Sequence, residues 1–383
     1  MLPFLLLAAT LATGFEPPPY NPGDVNGQNG WGHLSNSPTG GVIEPVPAGS
    51  PPAFGVQSLA IRTRNVDFFG VASHLYSPTI SPAAGETGST AGGVVVPDPE
   101  SHVSASFWFR TPDSPLISTR GDGRFAELNP SSKGSAPDDA ANRYAQVRLA
   151  NTTNTADGRV RVEMGWYRSS GFTLATVALL DWGQWYRFEY VLELVDGLDG
   201  TEPNDRFTLT IFDANGTQLG SACGSTWELG WKSGTFGGGA TPRAVNGFDF
   251  WSLSGPNGNL AGHLDEWTMS TFSAAPLAVT IDGSATVPMN GVTTLRADAI
   301  GGSGTIRAYE WRDAQSNVVG TSATFDAPVG TYSVMVTDSL CRSATSAEFS
   351  VANAEMEAVP TVSEIGLGVI AVALIALALL RLQ

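Results

Sequence analysis

Short stretches in which apolar and polar residues alternate recur through the middle of this chain, and they restrict its fold more than any other feature. They lie at 58–64, 102–110, 144–150, 159–167 and 185–194, between segments rich in Gly, Pro, Asn and Asp. Successive side chains of a β-strand point to opposite faces, so each stretch predicts a strand with one buried and one solvated face. Antiparallel strands of this kind pack in two layers, and we expect an all-β jelly-roll sandwich.

The composition agrees with a β-protein that has many turns. The 383 residues include 44 Gly and 25 Pro, and only 15% of them are charged, against roughly 25% in an average soluble domain. This length leaves room for two or three domains. The formal net charge of −16 repels phosphate groups and no basic stripe offsets it, so we expect no nucleic-acid partner.

Four segments of the middle region resemble successive strands of the concanavalin A-like, laminin-G-like superfamily. They are HVSASFWFRTP (102–112), GQWYRFEYVLELVDG (183–197), FTLTIFDANGTQL (207–219) and GHLDEWTM (262–269). The pieces at 15–16, 27–31 and 54–61 resemble the opening of such domains. The resemblance implies a jelly-roll (concanavalin A-like) domain over residues 15–275. It implies no single function, because this superfamily includes lectins, adhesion modules and glycosidases.

Residues 276–353 predict a second, smaller domain. The segment GTYSVMVTD (330–338), with Trp311 before it, resembles the PKD-type and SprB-type repeats of bacterial surface proteins. The resemblance implies an immunoglobulin-like sandwich that serves as a spacer or adhesion unit. We expect Trp311 to lie in its core, because a small sandwich needs a large buried aromatic residue. Residues 354–358 then form a short acidic linker.

Residues 1–14 have the features of a signal peptide. An apolar run at 5–9 precedes Ala12-Thr13-Gly14, which places small residues at both cleavage positions. We therefore expect an N-terminal signal helix and a mature chain that begins at Phe15. A buried N-terminal helix is the alternative, which the Pro-rich segment 15–20 disfavours.

Residues 359–383 resemble the IPTL-CTERM protein-sorting signal of Gram-negative bacteria. The motif residues are Pro360, Thr361, Ser363, Glu364 and Gly366, and Arg381 closes the apolar run that follows them. That run predicts a transmembrane helix over 365–380, about 24 Å long. The resemblance implies processing by an exosortase-like protease, and an exported protein that reaches the cell surface or the medium after at least transient anchoring in the membrane. Ile365 replaces the usual Trp and a single Arg replaces a basic cluster, so a permanent one-helix anchor is the alternative.

The polar faces of the predicted strands carry a candidate binding surface. If these strands lie in one curved sheet, the surface lines its concave side, where aromatic rings stack on sugars and polar side chains bond their hydroxyls. The candidate carbohydrate-binding residues are Trp108, Tyr144, Gln146, Arg148, Arg161, Glu163, Tyr167, Arg187 and Glu189. The alternative is a solvated sheet face held by Arg–Glu pairs across neighbouring strands.

The sequence predicts no catalytic residue. A glycosidase needs two carboxylates about 5–5.5 Å or 6.5–9.5 Å apart, and only Glu163 and Glu189 suggest such a pair. The ExDxxE strand of laminarinase-type enzymes is absent. We therefore expect a non-enzymatic surface protein that binds or adheres to extracellular polysaccharide. A polysaccharide-degrading glycosidase or lyase and a structural envelope or matrix protein are the alternatives.

One acidic loop offers ligands for calcium, and no other cofactor is predicted. Residues 196–205 place Asp196, Asp199 and Asp205 in a flexible turn that lacks the spacing of an EF-hand. A merely solvated loop is the alternative.

The two cysteines, Cys223 and Cys341, fall in different predicted domains. We expect two buried thiols, because a bridge between domains would need a close approach of their Cα atoms. A disulfide, which export permits, is the alternative.

Overall fold

A computed structural model shows an all-β protein whose chain forms two compact units. It describes residues 7–33, 41–48, 50, 55–62, 73–91, 94–118, 121–131, 144–232, 243–252, 259–302, 304–354 and 374–375. The first unit comprises Met1–Leu277, Gly301–Thr305 and Asp338–Ser343. The second comprises Ala278–Ile300, Ile306–Thr337 and Ala344–Gln383.

The first unit contains a nine-stranded antiparallel sheet. Its strands are β1 (Leu7–Thr13), β2 (Gly23–Asp24), β4 (Gly41–Pro45), β5 (Gln57–Arg62), β10 (His102–Arg110), β15 (Trp185–Glu193), β16 (Arg206–Phe212), β17 (Gln218–Gly224) and β20 (Leu260–Phe272). They are arranged in the order β17-β16-β15-β10-β20-β5-β4-β2, and β1 also pairs with β20.

A seven-stranded antiparallel sheet forms the other layer of this unit. Its strands are β3 (Gly32–His33), β6 (Ser73–Tyr76), β11 (Arg124–Ser131), β12 (Gln146–Asn151), β13 (Val160–Arg168), β14 (Gly171–Leu180) and β19 (Gly247–Ser252). Their order is β14-β13-β12-β11-β19-β6-β3. Two short strand pairs and one helix complete the unit: β7 (Ala84–Gly85) with β18 (Ala244–Val245), β8 (Thr90–Ala91) with β9 (Val94–Val95), and α1 (Glu228–Lys232).

Aromatic side chains from both sheets form the core of the first unit. The ring centroid of Phe107 on β10 lies 6.1 Å from that of Phe248 and 5.7 Å from that of Phe250, both on β19. The ring of Tyr190 on β15 lies 5.3 Å from Phe248. All four rings are buried. The two sheets therefore pack face to face, and alternate residues of each strand point outward.

The N-terminal segment is a strand in this structure. The prediction of a helix over residues 1–14 is wrong for Leu7–Thr13, which forms β1 and pairs with the second half of β20. Strand β5 pairs with β20 only between Leu260 and Leu264. The remaining edge of β20 is thus open to a second partner, and β1 occupies it. The assignment of residues 1–14 as a signal peptide stays a prediction.

The second unit also consists of two sheets. One contains β21 (Ala278–Asp282), β23 (Thr293–Ile300) and β26 (Thr324–Ala327), and the other contains β22 (Thr286–Val287), β24 (Ile306–Asp313), β25 (Val318–Gly320), β27 (Gly330–Asp338), β28 (Ser343–Thr345) and β29 (Phe349–Asn353). Phe325 of the first sheet lies 5.7 Å from Trp311 and 5.2 Å from Tyr332 of the second. Trp311 is fully buried, which confirms its predicted place in a core.

The C-terminal sorting motif, Pro360 to Gly366, lies outside the described residues. Of the predicted transmembrane helix 365–380, the described part is Leu374 and Ile375, which are helical. Within the described ranges, no helix has the length and apolar character needed to cross a membrane.

Cys223 and Cys341 form a disulfide, with their Cα atoms 6.2 Å apart. The prediction of two buried thiols is therefore wrong. It failed because Asp338–Ser343 belongs to the first unit, so both cysteines lie in one unit. In the same segment, Arg342 forms an ion pair with Glu193 of β15.

Removal of this disulfide is expected to lower the free energy of unfolding of the first unit by about 2–4 kcal/mol, because the bond restricts the unfolded chain. The cysteines are separated by 118 positions. Urea unfolding of a Cys223→Ser/Cys341→Ser variant measures the loss. A reductant should destabilise the native chain by the same amount and leave the variant unchanged. Equal stability of the two oxidised proteins would contradict this expectation.

Candidate functional site

The candidate binding residues do not share one sheet. Trp108, Arg187 and Glu189 lie on β10 and β15 of the nine-stranded sheet, and Trp108 is opposite Arg187 in the register. The seven-stranded sheet carries Gln146, Arg148, Arg161, Glu163 and Tyr167 on β12 and β13. Because the sheets pack through their inner faces, their outer faces point in opposite directions. The single concave surface expected from the sequence does not form.

On the outer face of the seven-stranded sheet, polar side chains hold one another in place. Nε of Arg148 donates to Oε1 of Gln146 at 2.7 Å, and Nε of Arg161 donates to Oε1 of Glu163 at 2.8 Å. Arg148 is opposite Glu163 in the register of β12 and β13. The guanidinium carbon of Arg148 lies 4.8 Å from the ring centroid of Phe172 on β14. This arrangement presents planar polar groups beside an aromatic ring, which suits the hydroxyls and apolar faces of sugars.

The two candidate tyrosines have different environments. Tyr144 is fully buried within the hydrophobic core cluster, so it does not belong to this outer face as the sequence predicted. Burial raises the pKa of Tyr144 well above its usual value, and the nearby carboxyl group of Asp205 raises it further. Tyr167 is half-buried with its ring 5.0 Å from Phe172, and burial raises its pKa as well. Tyr167 therefore remains a candidate and Tyr144 is part of the core.

Strand β11 adds charged residues to this outer face that the sequence analysis did not single out. A guanidinium nitrogen of Arg124 donates to Oε1 of Glu127, and Nδ2 of Asn129 donates to Oε2 of Glu127 at 3.2 Å. Glu127 and Asn129 are fully buried although they point away from the core. Leu128 between them points inward, so the polar–apolar–polar pattern of 127–129 was the signal that marks them.

Strands β6 and β19 extend the same face. Nδ1 of His74 lies 2.9 Å from Oδ1 of Asp249, and the imidazole ring stacks on Trp251 with centroids 5.2 Å apart. Trp251 is half-buried and is opposite Glu127 in the register of β11 and β19. We call this set of outward-pointing residues the polar face. Its half-buried members are Arg148, Arg161, Glu163, Tyr167 and Trp251, and its buried members are His74, Arg124, Glu127, Asn129, Gln146 and Asp249.

The two carboxylates suggested for a glycosidase are not brought together. Glu163 lies on the polar face and is ion-paired with Arg161, whereas Glu189 lies on the outer face of the other sheet, 3.1 Å from Arg187. The guanidinium carbon of Arg187 also lies 4.6 Å from the ring of Phe212. Both Arg–Glu pairs join residues two positions apart on one strand, whereas the alternative interpretation of the sequence expected pairs across neighbouring strands.

Three buried carboxyl groups converge beside the loop that the sequence offered for calcium. Carboxylate oxygens of Glu86, Asp205 and Glu228 lie within 4.8 Å of one another, and all three residues are buried. Asp205 is the member of this cluster that the sequence analysis named. Asp199 lies exposed in the turn, and Oδ1 of Asp196 accepts from the backbone nitrogen of Thr87 at 2.7 Å. The structure thus gathers Asp205 with two glutamates distant in sequence.

The donor set of this carboxylate cluster fits a hard divalent cation. Calcium takes carboxylate oxygens at about 2.3–2.6 Å, so oxygens on either side of one ion lie up to about 5 Å apart. Burial raises the pKa of Asp205 well above its usual value, and the negative charges of Glu228 and then Glu86 raise it further. A bound cation would offset the energetic cost of burying these negative charges and would remove their mutual repulsion.

A further buried acid lies opposite Trp108. Asp265 of β20 is fully buried, and its Oδ1 accepts from the backbone nitrogen of Glu266 at 2.8 Å. Its Oδ2 has no hydrogen-bond partner among the described residues. Burial raises the pKa of Asp265 to about 8, and the charges of Glu266 and Glu16 add to the shift. Asp265 is therefore protonated in the folded protein at neutral pH.

Comparison with known proteins identifies no family. No family model matches the sequence, and no curated protein matches it. Among solved structures, the four N-terminal Ig domains of Dscam1 isoform 6.9 match at 12% identity over 82% of this chain and 84% of that one, with a TM-score of 0.19. A structure reporting the basis of Dscam isoform specificity matches at 12% identity over 91% and 92% of the two chains, also at 0.19. Such low TM-scores support no argument about fold or function.

The free energy of unfolding is expected to fall less steeply with rising pH in Asp265→Asn than in the native protein, between about pH 4 and 8. In that range the folded protein binds the Asp265 proton and the unfolded chain does not, because the folded pKa is about 8 and the usual value is 3.8. The free energy of unfolding therefore falls as pH rises, by up to about 1.4 kcal/mol per pH unit. Asparagine keeps an oxygen for the nitrogen of Glu266.

Urea unfolding of both proteins at pH 5 and pH 8 measures this difference. Asp205 is present in both, so its own titration cancels. An equal loss of stability in the native protein and the variant would show that Asp265 does not carry the effect.

Proposed function

We propose that this protein is a non-enzymatic, exported surface protein that binds extracellular glycan on the polar face. The observation that carries the proposal is the arrangement of that face, in which planar polar groups are hydrogen-bonded to one another beside half-buried aromatic rings. Such side chains lose little conformational entropy when a ligand binds, because they are already held in place. The ligand then gains hydrogen bonds at low cost.

The disulfide supports the exported location. Disulfides persist in oxidising compartments outside the cytoplasm and are rare inside it, and Cys223 and Cys341 form one. The sorting part of the proposal rests on the sequence alone: the motif from Pro360 to Gly366, the apolar segment 365–380, an exosortase-like protease as processing partner, and membrane attachment at least before processing.

The finer description of the fold belongs to the same proposal. The order and packing of the two sheets of the first unit suit a concanavalin A-like jelly roll, and the aromatic core around Trp311 suits an immunoglobulin-like unit. In this picture the first unit binds and the second serves as a spacer. The sequence-based alternative of an enzyme that uses Glu163 and Glu189 has no geometric support, because these residues lie on different sheets.

We further propose that calcium binds at Glu86, Asp205 and Glu228 and stabilises the first unit. Glu86, which follows β7, and Glu228 of helix α1 both bond loop 196–205: Oε2 of Glu86 accepts from the nitrogen of Gly197 at 3.1 Å, and Oε2 of Glu228 accepts from the nitrogen of Asn204 at 3.1 Å. An ion bound to Asp205 would hold loop 196–205 in place.

Glycan binding is expected to depend on Trp251 and not on Trp108. Both are half-buried tryptophans on outer faces, one in each sheet, so Trp251→Ala and Trp108→Ala form a matched pair. On a glycan array, Trp251→Ala should lose the signal of the native chain, because stacking on the polar face is removed. Thermal unfolding of both variants checks that they fold.

Three outcomes would contradict this expectation. Loss of binding in Trp108→Ala alone would move the site to the nine-stranded sheet. Unchanged binding in Trp251→Ala would remove the polar face from the proposal. Absence of any bound glycan would favour a structural envelope or matrix protein.

Calcium is expected to raise the melting temperature of the native protein by a few degrees relative to a chelator, since a ligand that binds only the folded state stabilises it. Asp205→Asn should abolish this response. Asp199→Asn, which changes an exposed acid of the same loop, should retain it and serves as the control. No calcium response in the native chain, or a response that survives in Asp205→Asn, would contradict the assignment.

A further inference from the structure

Arg148 differs from the other arginines of the polar face in its partners. Arg124 is ion-paired with Glu127, and Arg161 is ion-paired with Glu163. Arg148 instead donates from Nε to the neutral side chain of Gln146. Among the residues that the structure describes, no carboxylate lies within 4.0 Å of its guanidinium group.

The environment of Arg148 holds its guanidinium plane fixed. One edge of the group is bound by Gln146, and one side of the plane lies over the ring of Phe172 at 4.8 Å. Gln146 is itself buried. The two terminal nitrogens make no hydrogen bond to a described residue, and neither is buried. A guanidinium stays protonated in proteins, so a rigid cationic edge is left for a ligand.

The geometry points to a carboxylate as the group that binds this edge, and we propose that Arg148 binds the carboxylate of a uronic acid residue in an acidic polysaccharide. Two parallel N–H groups of a guanidinium match the two oxygens of a carboxylate in a bidentate pair. The inference rests on the proposed function, because it names the class of glycan that the polar face takes.

The overall charge of the protein does not oppose this contact at short range. The chain carries a net charge of −16, which repels a polyanion at low ionic strength. At about 0.15 M salt, charges are screened beyond about 8 Å. The carboxylates that act on Arg148 already have other partners: Asp122 and Glu127 pair with Arg124, and Glu163 pairs with Arg161. Affinity for an acidic glycan should therefore persist at physiological salt.

The test compares one polymer with and without its negative charge. The full chain is measured by biolayer interferometry at 0.15 M salt against polygalacturonate and against the same polymer with its carboxylates methyl-esterified. The native chain should bind polygalacturonate at least about tenfold more tightly, as expected for a charged bidentate pair. Arg148→Ala should remove this preference. Arg187→Ala, the matched control on the outer face of the other sheet, where the guanidinium also lies over a phenylalanine ring, should retain it.

Dextran sulfate and a neutral glycan array complete the experiment. Dextran sulfate that binds as tightly as polygalacturonate would show general anion attraction and overturn the carboxylate assignment. A preference that survives in Arg148→Ala, or equal binding of the esterified polymer, would also overturn it. If only neutral glycans bind, this inference fails and the proposed function stands; if no glycan of any kind binds, the proposed function fails. Arg148→Lys keeps the positive charge but lacks the two parallel N–H groups, so it should bind polygalacturonate with intermediate affinity. Such binding would also show that the protein tolerates substitution at this position.

Discussion

The packing of Phe248 and Phe250 against the nine-stranded sheet is the interaction on which the first unit depends. Both side chains come from β19, and they contact Phe107, Tyr190 and Trp267 on three strands of the opposite sheet. Each of these rings buries a large apolar surface, and burial of that surface is the dominant favourable term in folding. Because the pairing fixes which side of each strand is inside, it also fixes which residues point outward.

The position of the polar face follows from this constraint. Phe248 and Phe250 point inward, so Asp249 and Trp251 must point outward, and the register across β11 places Asn129 and Glu127 beside them. A slip of one residue in β19 would exchange the two sets and place a carboxylate in the aromatic core. The same alternation sends Trp108 and Arg187 to the opposite surface of the unit. One sandwich thus presents two separate outer surfaces, and the polar face is the one on the seven-stranded sheet.

The sequence predicted the all-β class and the alternation of individual strands because those properties are local. Val103, Phe107 and Phe109 are buried as their period-2 pattern predicts, and Trp311 is in a core. Which strands share a sheet is set by pairing between distant segments, and no local pattern contains it. For this reason Glu163 and Glu189 looked like neighbours in the sequence analysis and are not. The disulfide was missed for the same reason, since Asp338–Ser343 lies with the first unit although the residues on both sides of it belong to the second.

Buried acids set a second constraint on the first unit, and two kinds must be distinguished. Asp265 has one protein partner for its carboxyl group and two acidic neighbours, so a proton is the simplest way to keep it neutral. Asp205, Glu86 and Glu228 converge on one point, where a single divalent ion could replace several protons. Rising pH removes a proton but does not remove a bound metal ion. Calcium must displace the protons of these carboxyl groups in order to bind, so its affinity rises with pH. The cluster would therefore respond to pH and calcium together, whereas Asp265 responds to pH alone. The chemistry of each site, and not only its burial, determines how the stability of the sandwich responds to its surroundings.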